Sequence, residues 1–214
     1  MKVIQPIRPL VKKVIRHIDE SYLDCVLSVL GDRPGVRALL FHSVFSDKAE
    51  IECNHIHPQQ GLTVGHYRFI FEYFLEHGYR YLDYKELNKT LVPKEKYIYV
   101  TFDDGYYNNA RIVPLIEELG IPIHIFVVTD NIIRNRKYWW DAIYFQRRLA
   151  GAPKTGVDSE LASLKKLYID EIERYTVNEF GIDAFHPRSD LDRPFAPDEL
   201  KELSGHELVT IGNH

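Results

Sequence analysis

The run of residues 96–128 constrains the fold more than any other part of the sequence. Lys96–Phe102, "KYIYVTF", alternates in polarity and is rich in β-forming residues, which predicts a strand. The next strand-like run, Ile121–Val128, arrives only after "NNARIVPLIEELG", whose helical spacing ends at Gly120. A strand, a helix and a second strand joined by short links are typical of a parallel βαβ unit. We therefore expect an α/β protein.

Two adjacent carboxylates, Asp103 and Asp104, follow the first strand of this unit directly and precede Gly105. An Asp-Gly step between apolar runs is a common hairpin signal, and acid pairs at ordinary turns are common. A hairpin needs a strand immediately after the turn, however, and here a helical pattern follows. We therefore place the pair at the carboxyl end of a parallel strand, where such proteins hold their active sites. Because successive side chains diverge, Asp104 is predicted to bind a cation and Asp103 to stay free as a base.

The rest of the chain divides into two predicted parts. Apolar residues at three- and four-residue spacing predict an amphipathic helix over Val11–Leu30, within an N-terminal helical segment of residues 1–35. The main domain, residues 36–214, begins with a predicted buried strand over Val36–Val44 and a long loop over Ser46–Gly61.

A helical insertion is predicted around residues 138–204. "YWWDAIYFQRRL", from Tyr138, has helical spacing, and "DSELASLKKLYIDEIERYTVNEFG" is interpreted as one long helix capped by Asp158 or Ser159. A loop, a short helix over "PDELKEL" and a final strand over "ELVTIGNH" are expected to follow.

Charge and hydropathy exclude several partners. Lys and Arg total 27 and Asp and Glu total 31, without a block of one sign, so neither nucleic acid nor an anionic membrane surface is expected as a partner. No apolar stretch reaches the length of a membrane span, and the N-terminus carries charges and two prolines where a secretory signal needs an apolar core. We therefore expect a cytoplasmic protein. Cys25 and Cys53 are expected to be unpaired thiols.

"TFDDG", Thr101–Gly105, resembles the first signature of the polysaccharide deacetylases, the family that shares the NodB homology domain. The run "YVTFDDGYYNNARIVPLIEELGIPIHIFVVT" is similar to the strand, helix and strand of that family, and "YWWDAI" to a Trp-Asp segment of one branch. "APDELKELSGHELVTIGNH" resembles the lead-in to the second signature, so the resemblance extends from about Leu39 to His214. It implies a partial distorted (β/α) barrel of the NodB type.

The resemblance also implies roles for individual residues. Asp103 matches the catalytic base, and Asp104 and His214 match ligands of a divalent metal, which we expect to be zinc. "LLFHSV" is similar to the family's last motif, Leu-x-His, in a circularly permuted order, which implies that His42 is the general acid. The alternative for His42 is a strand-end histidine that makes a structural hydrogen bond. No substrate-binding residue is assigned, and Trp139 and Trp140 either stack on a sugar or belong to the core.

The second ligand histidine of the family, expected four positions beyond His214, is not in the sequence. We therefore expect a piece of a larger enzyme, with an incomplete barrel, impaired activity and an exposed sheet edge through which the chain self-associates. The expected function is metal-dependent removal of N-acetyl groups from a saccharide. The alternatives are a non-catalytic carbohydrate-binding or interaction module, and a hydrolase of another C–N amide bond. Two further histidine-bearing stretches are interpreted as structural: "CNHIHP" as a loop, and His124 as a core or barrel-lining residue.

Overall fold

A computed structural model describes residues 34–214. The predicted helix over Val11–Leu30 and Cys25 lie outside the described residues, and the division at residue 35 stays a prediction. Within the described part, Cys53 is an exposed free thiol.

A parallel sheet organises the described residues, and β3 lies at its centre. β1 pairs along the whole of β3, whereas β2 pairs with the beginning of β3 and β4 with its end. β5 pairs with β4, which gives the order β1-β3-β4-β5 with β2 beside β3. All of these pairings are parallel, so the carboxyl ends of the strands lie at one edge of the sheet. The strands are β1 Gly35–Phe41, β2 Tyr79–Tyr81, β3 Lys96–Phe102, β4 Ile123–Val127 and β5 Val209–Asn213.

Helices fill the connections between the strands and form a separate group between β4 and β5. The α-helices are α1 Lys48–Glu52, α2 Val64–Glu76, α3 Val113–Leu119, α4 Thr129–Arg134, α5 Trp139–Leu149, α6 Lys154–Leu164, α7 Ile169–Phe180 and α8 Pro197–Ser204. Short 3₁₀ turns occupy Tyr84–Glu86, Tyr107–Ile112 and Ile182–Phe185. No helix of the described residues is long and apolar enough to cross a membrane.

The main core lies between the sheet and the helices α2 and α3. It is formed by alternate residues of β3 and β4 together with the buried faces of the two helices, namely Ile98, Val100, Phe102, Ile123, Ile125, Val127, Tyr67, Phe71, Leu115 and Ile116. A second core joins α5, α6 and α7 through Ile143, Tyr144, Val157, Leu161, Leu164 and Ile172. Each group of elements therefore buries its own apolar face.

The α/β class is confirmed, and β3 has the predicted bounds. The strand predicted over Val36–Val44 ends earlier, at Phe41, and is not fully buried, because β1 pairs only with β3 among residues 34–214. Its outer face leaves Val36 and Leu40 about half exposed, at 46% and 50%. The predicted loop over Ser46–Gly61 contains α1, which Asp47 caps by accepting a hydrogen bond from the Glu50 backbone N–H.

The single long helix predicted after Asp158 is wrong, because the chain forms α6 and α7 instead. Helix α7 begins after Tyr168. The Tyr168 backbone N–H donates to the Glu171 carboxylate at 3.0 Å, which caps the N-terminus of this second helix. Asp158 and Ser159 lie inside α6, and Pro153 occupies the position before its first turn.

Candidate active site

The four residues predicted for the site follow the carboxyl ends of three parallel strands. His42 follows β1, Asp103 and Asp104 follow β3, and His214 follows β5. Backbone hydrogen bonds continue the ladders into the site, since Asp103 N–H donates to Phe41 O at 2.8 Å and His214 N–H donates to Val127 O at 3.0 Å. The register of the sheet therefore places the acid pair between the two histidine-bearing strand ends.

The two carboxylates lie in different environments. The His214 Nε2 atom lies 3.7 Å from Oδ2 of Asp103 and 3.9 Å from Oδ1 of Asp104. The side chain of Asp103 is 15% exposed, whereas that of Asp104 is 6% exposed. Asp104 has a left-handed backbone conformation, with φ of 75°, and its carbonyl accepts hydrogen bonds from Val128 N–H at 3.1 Å and from Tyr138 Oη at 2.6 Å. The chain thus turns sharply at Asp104, whose carboxylate is less exposed than that of Asp103.

Burial and, to a smaller extent, the negative charge of Asp103 raise the pKa of Asp104 to about 7, against the opposing charge of Lys165. A carboxylate with such a pKa is stabilised in its ionised form by any cation that binds beside it. This electrostatic environment fits the predicted role of Asp104 as a cation ligand.

The described residues supply only part of a metal site. A catalytic zinc ion ordinarily takes three protein ligands and leaves one position open. Asp104 and His214 offer one carboxylate and one imidazole, and residues 34–214 contain no group of three or more His, Cys, Asp or Glu side chains arranged to hold a metal. The donor types fit zinc, but the described set is incomplete.

The histidines of the "CNHIHP" stretch contact polar side chains of the helical group and of the loop before α8. Cys53 is exposed, His55 Nδ1 lies 3.4 Å from Ser189 Oγ, and His57 Nε2 lies 2.9 Å from the Asp158 carboxylate. His124 is buried as expected, and its Nδ1 hydrogen-bonds with the Tyr99 hydroxyl.

His42 lies beside the acid pair, with its Nδ1 atom buried and without a hydrogen-bond partner among the described residues. Burial lowers the pKa of His42, while the charge of Asp103 and contact with the Gln60 side chain oppose that shift. The effect of burial outweighs these two contributions, so the pKa of His42 lies below its ordinary value.

A cavity of about 550 Å³ opens onto these residues. Its sheet side is lined by His42, Asp104 and His214. Its helical side is lined by Trp139 and Trp140 of α5, by Leu161 and Ala162 of α6, and by Lys165, which follows α6. A second cavity of about 410 Å³ shares Asp104, His214, Trp139 and Trp140 with the first. Both tryptophans are only partly buried. They pack against the core of the helical group and also present surface to the cavities.

Tyr106, Tyr138 and Lys165, to which the sequence pattern assigns no role, also shape the site. Tyr138 hydrogen-bonds the carbonyl of Asp104 and stacks on Trp140, with ring centroids 4.9 Å apart. The available signal was the cluster of tyrosines immediately after the acid pair and immediately before the tryptophan pair.

The family profile described as polysaccharide deacetylase matches residues 90–214 of the chain. Among solved structures, the chain resembles a de-N-acetylase from Aggregatibacter actinomycetemcomitans, with 18% identity and a TM-score of 0.51 over 84% of this chain and 54% of that one. It also matches the Streptococcus pyogenes deacetylase PplD in complex with acetate, with 15% identity and a TM-score of 0.36 over 48% of this chain and 46% of that one. The chain thus spans about half the length of each structure. No curated protein matches it significantly. The first of these similarities supports a partial barrel of the NodB type.

Proposed function

Because the chain belongs to the polysaccharide deacetylase family, we propose that it forms part of a hydrolase that removes N-acetyl groups from a saccharide. The observation that carries the proposal is the position of the acid pair. Asp103 and Asp104 lie at the carboxyl end of β3, 3.7 Å and 3.9 Å from His214 Nε2, and Asp104 and His214 line a cavity whose other side carries two indoles. An exposed indole face suits the apolar face of a sugar ring.

Asp104 and His214 would hold a divalent metal, for which zinc is the first choice, together with a third ligand from outside the described residues. When bound, such an ion polarises the acetyl carbonyl and makes its water a better nucleophile. The low exposure of Asp104 suits a ligand that is held rigidly.

Asp103 is assigned as the general base because its side chain is the more accessible carboxylate of the pair and is not buried beneath the turn. It would take the proton of the attacking water. His42, which lines the same cavity, is assigned to protonate the departing amine. Burial lowers the pKa of His42, which makes its protonated form a stronger acid toward the departing amine.

The experiment uses the full-length protein and measures acetate released from an N-acetylglucosamine oligosaccharide. Release should stop when a chelator removes the metal and should nearly disappear in Asp103→Asn. Full activity of Asp103→Asn would overturn the base assignment.

A non-catalytic carbohydrate-binding module is the alternative, since residues 34–214 hold two metal donors rather than three. It requires saccharide binding without acetate release. Acetate or ammonia release only from other amides would instead support a hydrolase of a different C–N bond.

A further inference from the structure

A buried hydrogen-bond chain links the acid-pair turn, the helical side of the cavity and the segment around His57. Asp141, in the first turn of α5, is completely buried. Its Oδ2 accepts from the Tyr106 hydroxyl at 2.5 Å, and its Oδ1 accepts from the His57 backbone N–H at 2.7 Å. The Tyr106 oxygen in turn accepts from Trp140 Nε1–H at 2.9 Å. One carboxylate therefore connects residues that are 35 and 84 positions away in the sequence.

The direction of each hydrogen bond in this chain is fixed by chemistry. An indole N–H and a backbone N–H can only donate, so Tyr106 accepts from Trp140 and directs its own hydrogen to Asp141. In its ionised form, Asp141 then accepts at both oxygens. An asparagine of the same shape would turn its amide NH₂ toward one of the two donors and leave that donor buried without an acceptor.

The residues at the ends of this chain lie on the cavity surface. Trp140 lines both cavities, and His57 lines the larger one. Trp140 also stacks on Tyr138 at an interplanar angle of 14°, and Tyr138 hydrogen-bonds the Asp104 carbonyl. The orientation of the Trp140 indole is therefore tied to the backbone of the acid pair from two sides.

We propose that Asp141 is a positioning residue, which holds the Trp140 indole and the segment around His57 in place as the saccharide-binding wall of the cavity. Asp141 is completely buried and acts through Tyr106 and His57 rather than through the substrate. That the ligand is a saccharide rests on the proposed function. That the wall depends on Asp141 rests on the hydrogen bonds alone.

Two variants separate the links of the chain. Tyr106→Phe removes the link to Trp140 and leaves the Asp141 bond to His57 in place, whereas Asp141→Asn disturbs both. Tyr175→Phe is the matched control, because it removes a tyrosine hydroxyl that bonds Glu160 and Arg147 within the helical group and does not line either cavity. Tyr106→Phe keeps the test valid even if Asp141→Asn fails to fold.

Tryptophan fluorescence reports on this wall directly, because Trp139 and Trp140 are the only tryptophans of the sequence. Emission maximum and acrylamide quenching are measured for the full chain, followed by titration with an N-acetylglucosamine oligosaccharide and, where acetate is released, by kcat and KM. In Tyr106→Phe we expect red-shifted emission, stronger quenching and a Kd or KM raised by about fivefold, with kcat within about twofold of wild type.

Emission and quenching of a folded Tyr106→Phe that match those of wild type and Tyr175→Phe would overturn the inference. A loss confined to kcat would also overturn it, because it would place Tyr106 in the chemistry rather than in the wall. If wild type neither binds nor deacetylates the saccharide, the proposed function fails, while the quenching comparison still decides whether this chain orders the wall.

Discussion

The Lys137 ammonium lies 2.9 Å from Oδ2 of Asp192, and both side chains are almost completely buried, at 1% and 0% exposure. Lys137 lies just before α5, and the other Asp192 oxygen accepts hydrogen bonds from the backbone N–H groups of Arg188 and Ser189. This ion pair therefore links the segment before α5, which carries both tryptophans, to the loop before α8.

Lys137→Met is expected to lower the free energy of unfolding by about 3–5 kcal/mol, because it leaves the Asp192 carboxylate buried without its counter-ion. The double variant Lys137→Met/Asp192→Asn should recover most of the loss, since it removes the unpaired charge. Urea denaturation of the wild type, the two single variants Lys137→Met and Asp192→Asn, and the double variant measures both effects. A single variant within about 1 kcal/mol of wild type would show that water or another cation reaches Asp192.

Gly105→Ala is expected to destabilise the turn after the acid pair. The backbone φ of Gly105 is +81°, and an added Cβ would lie 2.8 Å from Val127 Cγ1 and 3.2 Å from Val127 Cα. Gly151→Ala is a matched control, because Gly151 has φ of +80° but no atom within 4 Å of the added Cβ. The control should cost about 1–2 kcal/mol for the left-handed backbone alone.

Urea denaturation should give a larger loss for Gly105→Ala than for Gly151→Ala, and the difference measures the close approach to β4. Because Val127 O also accepts from His214 N–H, displacement of β4 should in addition reduce acetate release by the full-length enzyme. Equal losses of stability in the two variants would mean that β4 shifts away from the added methyl group without a further loss of stability.

Local pattern was sufficient to predict much of the sheet and the edge of it at which the candidate residues lie. The alternation of β3 predicted its bounds, and Gly120, in a left-handed conformation, ends α3 as expected. The parallel order then placed the acid pair at the edge where His42 and His214 also lie.

Features that depend on distant contacts were not predictable in the same way. In α2, aromatic residues occur all round the helix, and Phe69 and Tyr73 are 71% and 45% exposed. The main core instead buries Tyr67 and Phe71, and this choice of face depends on the elements that pack against the helix. The bonds of Asp141 are likewise invisible to periodicity, since they join residues from three separate segments.

The stability of the metal-free protein should depend on the ionisation of Asp104. Its pKa is about 7 in the folded protein and near its ordinary value of about 4 in the unfolded chain. Between these values the folded state holds a proton that the unfolded state releases. The contribution of Asp104 to the free energy of unfolding is therefore complete below pH 4 and is lost as the pH rises toward 7, by at most about 4 kcal/mol.

Urea denaturation of wild type and Asp104→Asn with chelator, at pH 5 and pH 8, isolates this contribution, because asparagine does not titrate and the other groups cancel. The wild type should lose more stability than the variant between the two pH values. Parallel losses would show that Asp104 ionises normally in the folded protein.

The pKa of Asp104 should also respond to its two charged neighbours in opposite directions. Lys165→Met removes a positive charge and should raise the pKa, whereas Asp103→Asn removes a negative charge and should lower it. Lys166→Met is the control, because Lys166 is exposed and does not line the cavity. Carboxyl ¹³C chemical shifts followed through a pH titration give the pKa of Asp104 directly. Equal changes of this pKa in Lys165→Met and Lys166→Met would contradict the electrostatic effect of Lys165 on Asp104.

The separate roles proposed for the two carboxylates lead to opposite effects on metal content. Asp104→Asn and His214→Ala should each lose bound zinc from the full-length protein, since each removes one donor from the set. Asp103→Asn should retain zinc and lose acetate release by about 10²–10⁴-fold, the contribution expected of a general base. Metal analysis after dialysis and acetate assays on the same samples distinguish the two classes. Loss of zinc from Asp103→Asn with retention in Asp104→Asn would exchange the roles of the pair.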